Sequence, residues 1–131
     1  MSYYDLSDEL WQRLEPVLPV EGSPKGGRPA KEQRTFVNAI IWILRTGAPW
    51  RALPEEYGSW KTVYSRFRRW QARGFWKAVF QTLSCEPDLE AVMLDGTYIH
   101  AHKHAAGAKG GSTDRLWAAV AEALLPNCML R

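Results

Sequence analysis

The sequence predicts a mainly α-helical domain over about residues 1–85, followed by a β-hairpin. Three observations carry that expectation. Apolar residues recur with a helical period at Val37, Ile40, Ile41 and Leu44, and again at Trp60, Val63, Tyr64, Phe67 and Trp70. Beyond Glu86-Pro87-Asp88 the period falls to about two. Hydrophobic residues make up 46% of the 131 and charged residues 24%, a balance that supports a packed core and argues against wholesale disorder.

The elements follow in order. Ser7, with Asp8 and Glu9 behind it, opens a first helix: a capping hydroxyl, then two acids on the positive end of the helix dipole. Leu6, Leu10, Leu14 and Val17 form its apolar stripe, and Pro16 and Pro19 keep it short. Residues 20–29 hold three glycines and two prolines and read as a basic loop. A second helix spans about 31–46, with Phe36, Trp42 and Ile43 widening its stripe and Gly47 placed as a left-handed cap. So apolar a helix belongs at the centre of the core. The connector Ala48 to Pro54 is bounded by prolines and pinned by Trp50 and Leu53.

A third helix runs from its N-cap Ser59 to Gly74, and a short fourth from Phe75 to Leu83. Ala91-Val92-Met93-Leu94 then suits a buried strand and Asp95-Gly96 a tight turn. Tyr98, His100, His102 and His104 alternate with Ile99, Ala101 and Lys103 as in a second strand. After a small, Gly-rich stretch at 105–112, an Ala-rich helix is expected at about 116–125.

Composition excludes several classes of protein. The longest apolar run, Ala39 to Leu44, is far short of the roughly 20 residues of a membrane span, so no membrane partner is expected. The start of the chain lacks the basic and apolar regions of a secretory signal. Cys85 and Cys128 show no pairing or ligand pattern, which points to a reducing, cytoplasmic setting.

Charge is placed unevenly. Between Lys25 and Lys77 stand twelve basic residues and three acids, a local excess of +9 within a chain of net charge +3. An excess of that size is the footprint of a polyanion binder, since each neutralised phosphate releases counterions. It is sharpest on the third helix, where Lys61, Thr62, Ser65, Arg66, Arg68, Arg69 and Arg73 lie off the aromatic face and no acid occurs before Lys77. A buried helix, a connector and a basic helix make a helix-turn-helix-like order, and those side chains suit phosphates and base edges of double-stranded DNA. The bland alternative is a solvated amphipathic helix. Arg28, in Gly26-Gly27-Arg28-Pro29, is either a minor-groove hook or part of an ordinary loop.

The remaining polar groups are less specific. Three histidines on one strand face could chelate a metal, but no Cys or second carboxylate is spaced to complete the site, and polar residues on an exposed strand are the simpler account. Asp95, after an apolar strand and before glycine, is placed either as a metal ligand or as a turn residue, and spacing alone favours the turn.

Beyond single residues, Trp42-Ile43-Leu44-Arg45-Thr46-Gly47-Ala48-Pro49-Trp50-Arg51-Ala52-Leu53-Pro54 resembles a signature of bacterial insertion-sequence transposases of the DDE type. Tyr57 to Tyr64 and Arg66 to Trp70 continue it, and Leu94 to Ile99 with Ala101 to Gly107 resembles the start of the same family's catalytic domain. The resemblance covers roughly residues 3–111. It implies an RNase H-like α/β catalytic domain whose three carboxylates hold divalent metal, Mg²⁺, for in-line phosphoryl transfer. The first carboxylate maps onto Asp95, and the 36 residues after it are too few to supply the others. By resemblance, residues 1–85 are the DNA-binding domain, 86–111 the truncated start of the catalytic domain, and Asp95 a weak, incomplete metal ligand.

The expected function is recognition of the element's terminal repeats for transposition, with a non-catalytic regulator that binds the same ends as the alternative. A full-length transposase or a second-frame product is the expected protein partner. Residues 112–131 read as an out-of-frame tail. Codons permitted for Leu116 to Met129, read one base upstream, can spell Ala-Leu-Gly-Arg-Ser-Arg-Gly-Gly-Phe-Thr-Thr-Lys-Leu-His, which resembles the family's continuation. Such a tail would not be selected to pack. A programmed slip and a disabling mutation account for it equally.

Overall fold

Asp8–Leu14 forms α1, capped by the Ser7 hydroxyl, which accepts from the Leu10 amide at 3.2 Å. The structure, a computed structural model, describes residues 5–18, 31–105 and 114–130. The acids of the first turn of α1 stand where the dipole favours them. Leu10, Trp11 and Leu14 face inward.

Helix α2, Lys31–Thr46, is the central element that its periodicity predicts: Val37, Ile40, Ile41, Ile43 and Leu44 are all buried. Two polar side chains of α2, neither legible as a motif, fix α1 and the residue before its cap against it. Buried Asn38 accepts from the Leu6 amide at 2.9 Å, and Arg34 reaches both the Leu6 carbonyl (3.0 Å) and Asp8 (2.7 Å). The helix ends at Gly47, whose positive φ of 68° and bond to the Ile43 carbonyl make it the left-handed cap.

The connector holds two 3-10 turns, Trp50–Ala52 and Glu55–Tyr57. Trp50 and Leu53 are buried and pin it, and the Tyr57 hydroxyl donates to Asp5 at 3.2 Å. Gly58 then turns the chain into the next helix at φ 96° and ψ −175°, a region essentially closed to other residues. A Cβ there would meet open space, so the cost of Gly58→Ala is backbone strain alone, about 1–3 kcal/mol. Denaturant titration should show a lower midpoint with an unchanged slope. An unchanged midpoint would mean that the turn relaxes.

Helix α3 is Trp60–Ala72 and α4 is Trp76–Leu83. Ser59 occupies the N-cap position of α3 as expected, but its side chain makes no capping hydrogen bond. Gly74, at φ 79°, ends α3: its amide bonds to the Gln71 carbonyl and that of Phe75 to the Trp70 carbonyl, the paired bonds of a Schellman cap.

An aromatic cluster joins these helices. Trp76 stacks on Phe80 (5.1 Å), lies 4.9 Å from Phe67 and 5.2 Å from Trp70, and donates its indole N–H to the Phe67 carbonyl at 2.9 Å. Phe36 meets Trp70 edge-on at 4.9 Å, and Trp50 packs on Phe67 at 5.5 Å. Most of the tryptophan content is thus accounted for by the core.

The expected β-hairpin is absent. Among the described residues there is no strand, and Pro87–Ala105 is a single helix, α5. The reason lies in its buried face. Leu89 and Met93 are buried, Gly96 lies under Trp117, and His100 stacks on the same ring at 5.0 Å. These positions run i, i+4, i+7, i+11, which is helical spacing. A glycine and a histidine complete the stripe, so a search for apolar residues alone finds the run at 91–94 instead. A Cβ at position 96 would overlap the Trp117 ring, so glycine inside this helix serves close packing. Leu94, Tyr98 and Ile99, which belong to the expected strands, are exposed.

Helix α6, Asp114–Leu130, packs across α4 and α5. Leu116, Trp117, Val120, Ala123 and Leu124 are buried. An Ala-rich helix is therefore present where the sequence places one, but the expectation that this segment does not pack is corrected.

Candidate nucleic-acid interface

Every other feature of α3 follows from how it is anchored. Val63, Phe67 and Trp70 are buried in the aromatic cluster, which fixes the rotation of the helix and turns its remaining positions outward. Lys61, Thr62, Ser65, Arg68, Arg69 and Arg73 are exposed. Thr62, Arg66, Arg69 and Arg73 recur at i, i+4, i+7, i+11 and so form one stripe along the helix.

Arg66 differs from the others. It is half-buried, with its guanidinium 4.8 Å from the Phe36 ring centroid and 5.7 Å from that of Trp70. The rings hold its charge at the edge of the stripe rather than leaving it to sweep through solvent. Arg73 lies over Phe75 at 5.2 Å and Arg68 over Tyr64 at 5.9 Å. A cleft of about 310 Å³ opens beside the N-terminal end of the stripe, lined by Thr35, Glu56, Ser59, Thr62 and Arg66 among others.

The structure thus brings Lys61, Thr62, Ser65, Arg66, Arg68, Arg69 and Arg73 onto one helix, and Arg28 lies outside the described residues. The connector between α2 and α3 is longer than the three- or four-residue turn of a helix-turn-helix and contains two 3-10 turns.

Asp95 is exposed on α5 rather than at a strand end. His100 and His102 do not share a face. His100 turns toward Trp117, with Nδ1 3.1 Å from the Gly96 carbonyl oxygen, whereas His102 is exposed and meets Tyr98 edge-on at 4.4 Å. Residues two apart on a helix point to different sides, so the change from strand to helix separates these two. No group of three His, Cys, Asp or Glu side chains able to hold a metal ion occurs among the described residues. A lone carboxylate leaves a divalent ion mostly hydrated, so these residues do not fit the Mg²⁺ site that the resemblance implies. No described helix is long and apolar enough to cross a membrane.

Residues 6–80, which hold α1, α2, the connector, α3 and most of α4, match the family model described as "Putative transposase of IS4/5 family (DUF4096)". The chain belongs to this family. This transposase-family chain is 40% identical over 116 residues to "Uncharacterized protein y4sN" of Sinorhizobium fredii, covering 86% of the chain and 91% of that protein. It is 36% identical over 83 residues to the "Insertion element IS402 uncharacterized 16.2 kDa protein" of Burkholderia cepacia, covering 60% of the chain and 56% of that relative. No solved structure matches. The family match includes all of α3 and ends before α5 and Asp95.

Proposed function

We propose that the chain binds double-stranded DNA at the ends of its insertion element through the basic face of α3. The observation that carries this reading is the stripe of Thr62, Arg66, Arg69 and Arg73, backed by a buried aromatic face and free of acids along the whole helix. Arginines suit both phosphates and guanine edges, and hydroxyls suit phosphates. The family membership supplies the context in which such a face has a DNA target. Binding of a labelled duplex carrying the terminal repeat, in competition with a scrambled duplex, tests the reading. Preference for the repeat is expected, and equal competition would overturn end recognition.

The regulator reading is favoured by one observation: Asp95 belongs to no group of three or more metal-ligating side chains among the described residues. A chain of this kind would occupy the ends without cutting them and would lower the activity of a full-length transposase. Cleavage assays with Mg²⁺, using the chain alone and mixed with the full-length enzyme, separate the two readings.

A further inference from the structure

A second edge of α3 carries aromatic residues that the duplex reading leaves unused. Trp60, Tyr64 and Arg68 recur at i, i+4, i+8, on the side of the helix away from the stripe of Arg69 and Arg73. Trp60 and Tyr64 are only half-buried, unlike Val63, Phe67 and Trp70 beside them. Exposed cations cover their rings. Arg51, from the first 3-10 turn, lies 5.7 Å from the Trp60 centroid, Lys61 lies 5.9 Å from the same ring, and Arg68 lies 5.9 Å from Tyr64. Tyr64 is held from beneath by buried Trp50, at 5.4 Å.

From this we infer that the edge formed by Arg51, Trp60, Lys61, Tyr64 and Arg68 binds unpaired, single-stranded DNA. The inference rests on the duplex reading of α3 and extends it to the strand that separates from the duplex. Stacking platforms interleaved with cations are what sequence-tolerant single-strand binding needs: every base has a π-face, and every nucleotide brings one phosphate. A planar guanidinium over a ring itself offers a stacking face to a base. The half-buried rings are anchored in the core, so little ordering is required when a base stacks on them. Glu56, on the second 3-10 turn, lines the cleft beside Thr62 and Arg66, toward the duplex stripe.

The test uses the full chain and two labelled probes: an oligo-dT of roughly 20 nucleotides and a terminal-repeat duplex of similar length. Wild-type protein is expected to bind both. W60L/Y64L keeps apolar volume and removes the stacking faces; it should weaken affinity for oligo-dT about tenfold or more, as expected when two bases can no longer stack, and change little on the duplex. R51A changes only one exposed cation, which lies outside the α3 residues read as duplex contacts, so it remains decisive if the aromatic variant fails to fold; it too should lose oligo-dT binding preferentially. Parallel losses on both probes, or a wild-type chain that binds the duplex but not oligo-dT, would overturn the inference. A wild-type chain that binds oligo-dT but not the duplex would instead overturn the duplex reading.

Discussion

Trp76→Ala should lower stability by about 3–5 kcal/mol, the range for emptying a buried large aromatic site. Trp76 is 2% exposed and stands between Phe67, Trp70 and Phe80, with Phe36 at 5.9 Å. Its ring touches α2, α3 and α4 together, so the cavity left by its removal has few ways to collapse. The Phe67 carbonyl also loses its indole donor. Trp76→Phe isolates that part: the ring packing largely persists and the Phe67 carbonyl keeps its helical donor, so the cost should fall to about 0.5–1.5 kcal/mol, the net contribution of one hydrogen bond. Equilibrium denaturation of both variants checks this, and a Trp76→Ala protein as stable as wild type would show that the aromatic cluster does not hold the helices together.

Shortening the chain to end at residue 113 should abolish cooperative unfolding. Leu116, Trp117, Val120 and Leu124 are each at most 4% exposed in contact with the rest of the fold. At about 1.5–3 kcal/mol for each large buried apolar side chain, an upper estimate because the unfolded chain already buries part of that surface, the four amount to a substantial fraction of a domain's roughly 5–15 kcal/mol. Their removal also uncovers the faces of α4 and α5 on which α6 lies. The shortened chain should therefore lose its near-ultraviolet circular dichroism or bind a hydrophobic dye. Identical melting of the long and short chains would return α6 to the status of a dispensable tail.

The elements that were legible in the sequence share one property: large apolar residues recur at helical spacing along their buried face. Val37, Ile40, Ile41 and Leu44 on α2, and Val63, Phe67 and Trp70 on α3, declare both the helix and the side it buries. The outward side of α3, and with it the candidate interface, follows from the same period. Residues 87–105 were not legible because Gly96 and His100 occupy the buried stripe while Leu94, Tyr98 and Ile99 face out. The alternation at 98–104 is a local coincidence that tertiary packing against Trp117 overrides. The ring-held pose of Arg66 was likewise invisible, since Phe36 lies thirty positions away on another helix.

Arg69→Ala/Arg73→Ala tests most directly whether the basic face of α3 is the DNA-binding surface. Both side chains are exposed, so the variant should fold like the wild type. The measurement is the dissociation constant for a terminal-repeat duplex across a salt series. Each guanidinium is expected to neutralise one phosphate. Removing both should make the slope of log K against log salt shallower by about 1.8, at roughly 0.9 per phosphate, and affinity at low salt should drop. A folded variant with unchanged slope and affinity would contradict the assignment of this face.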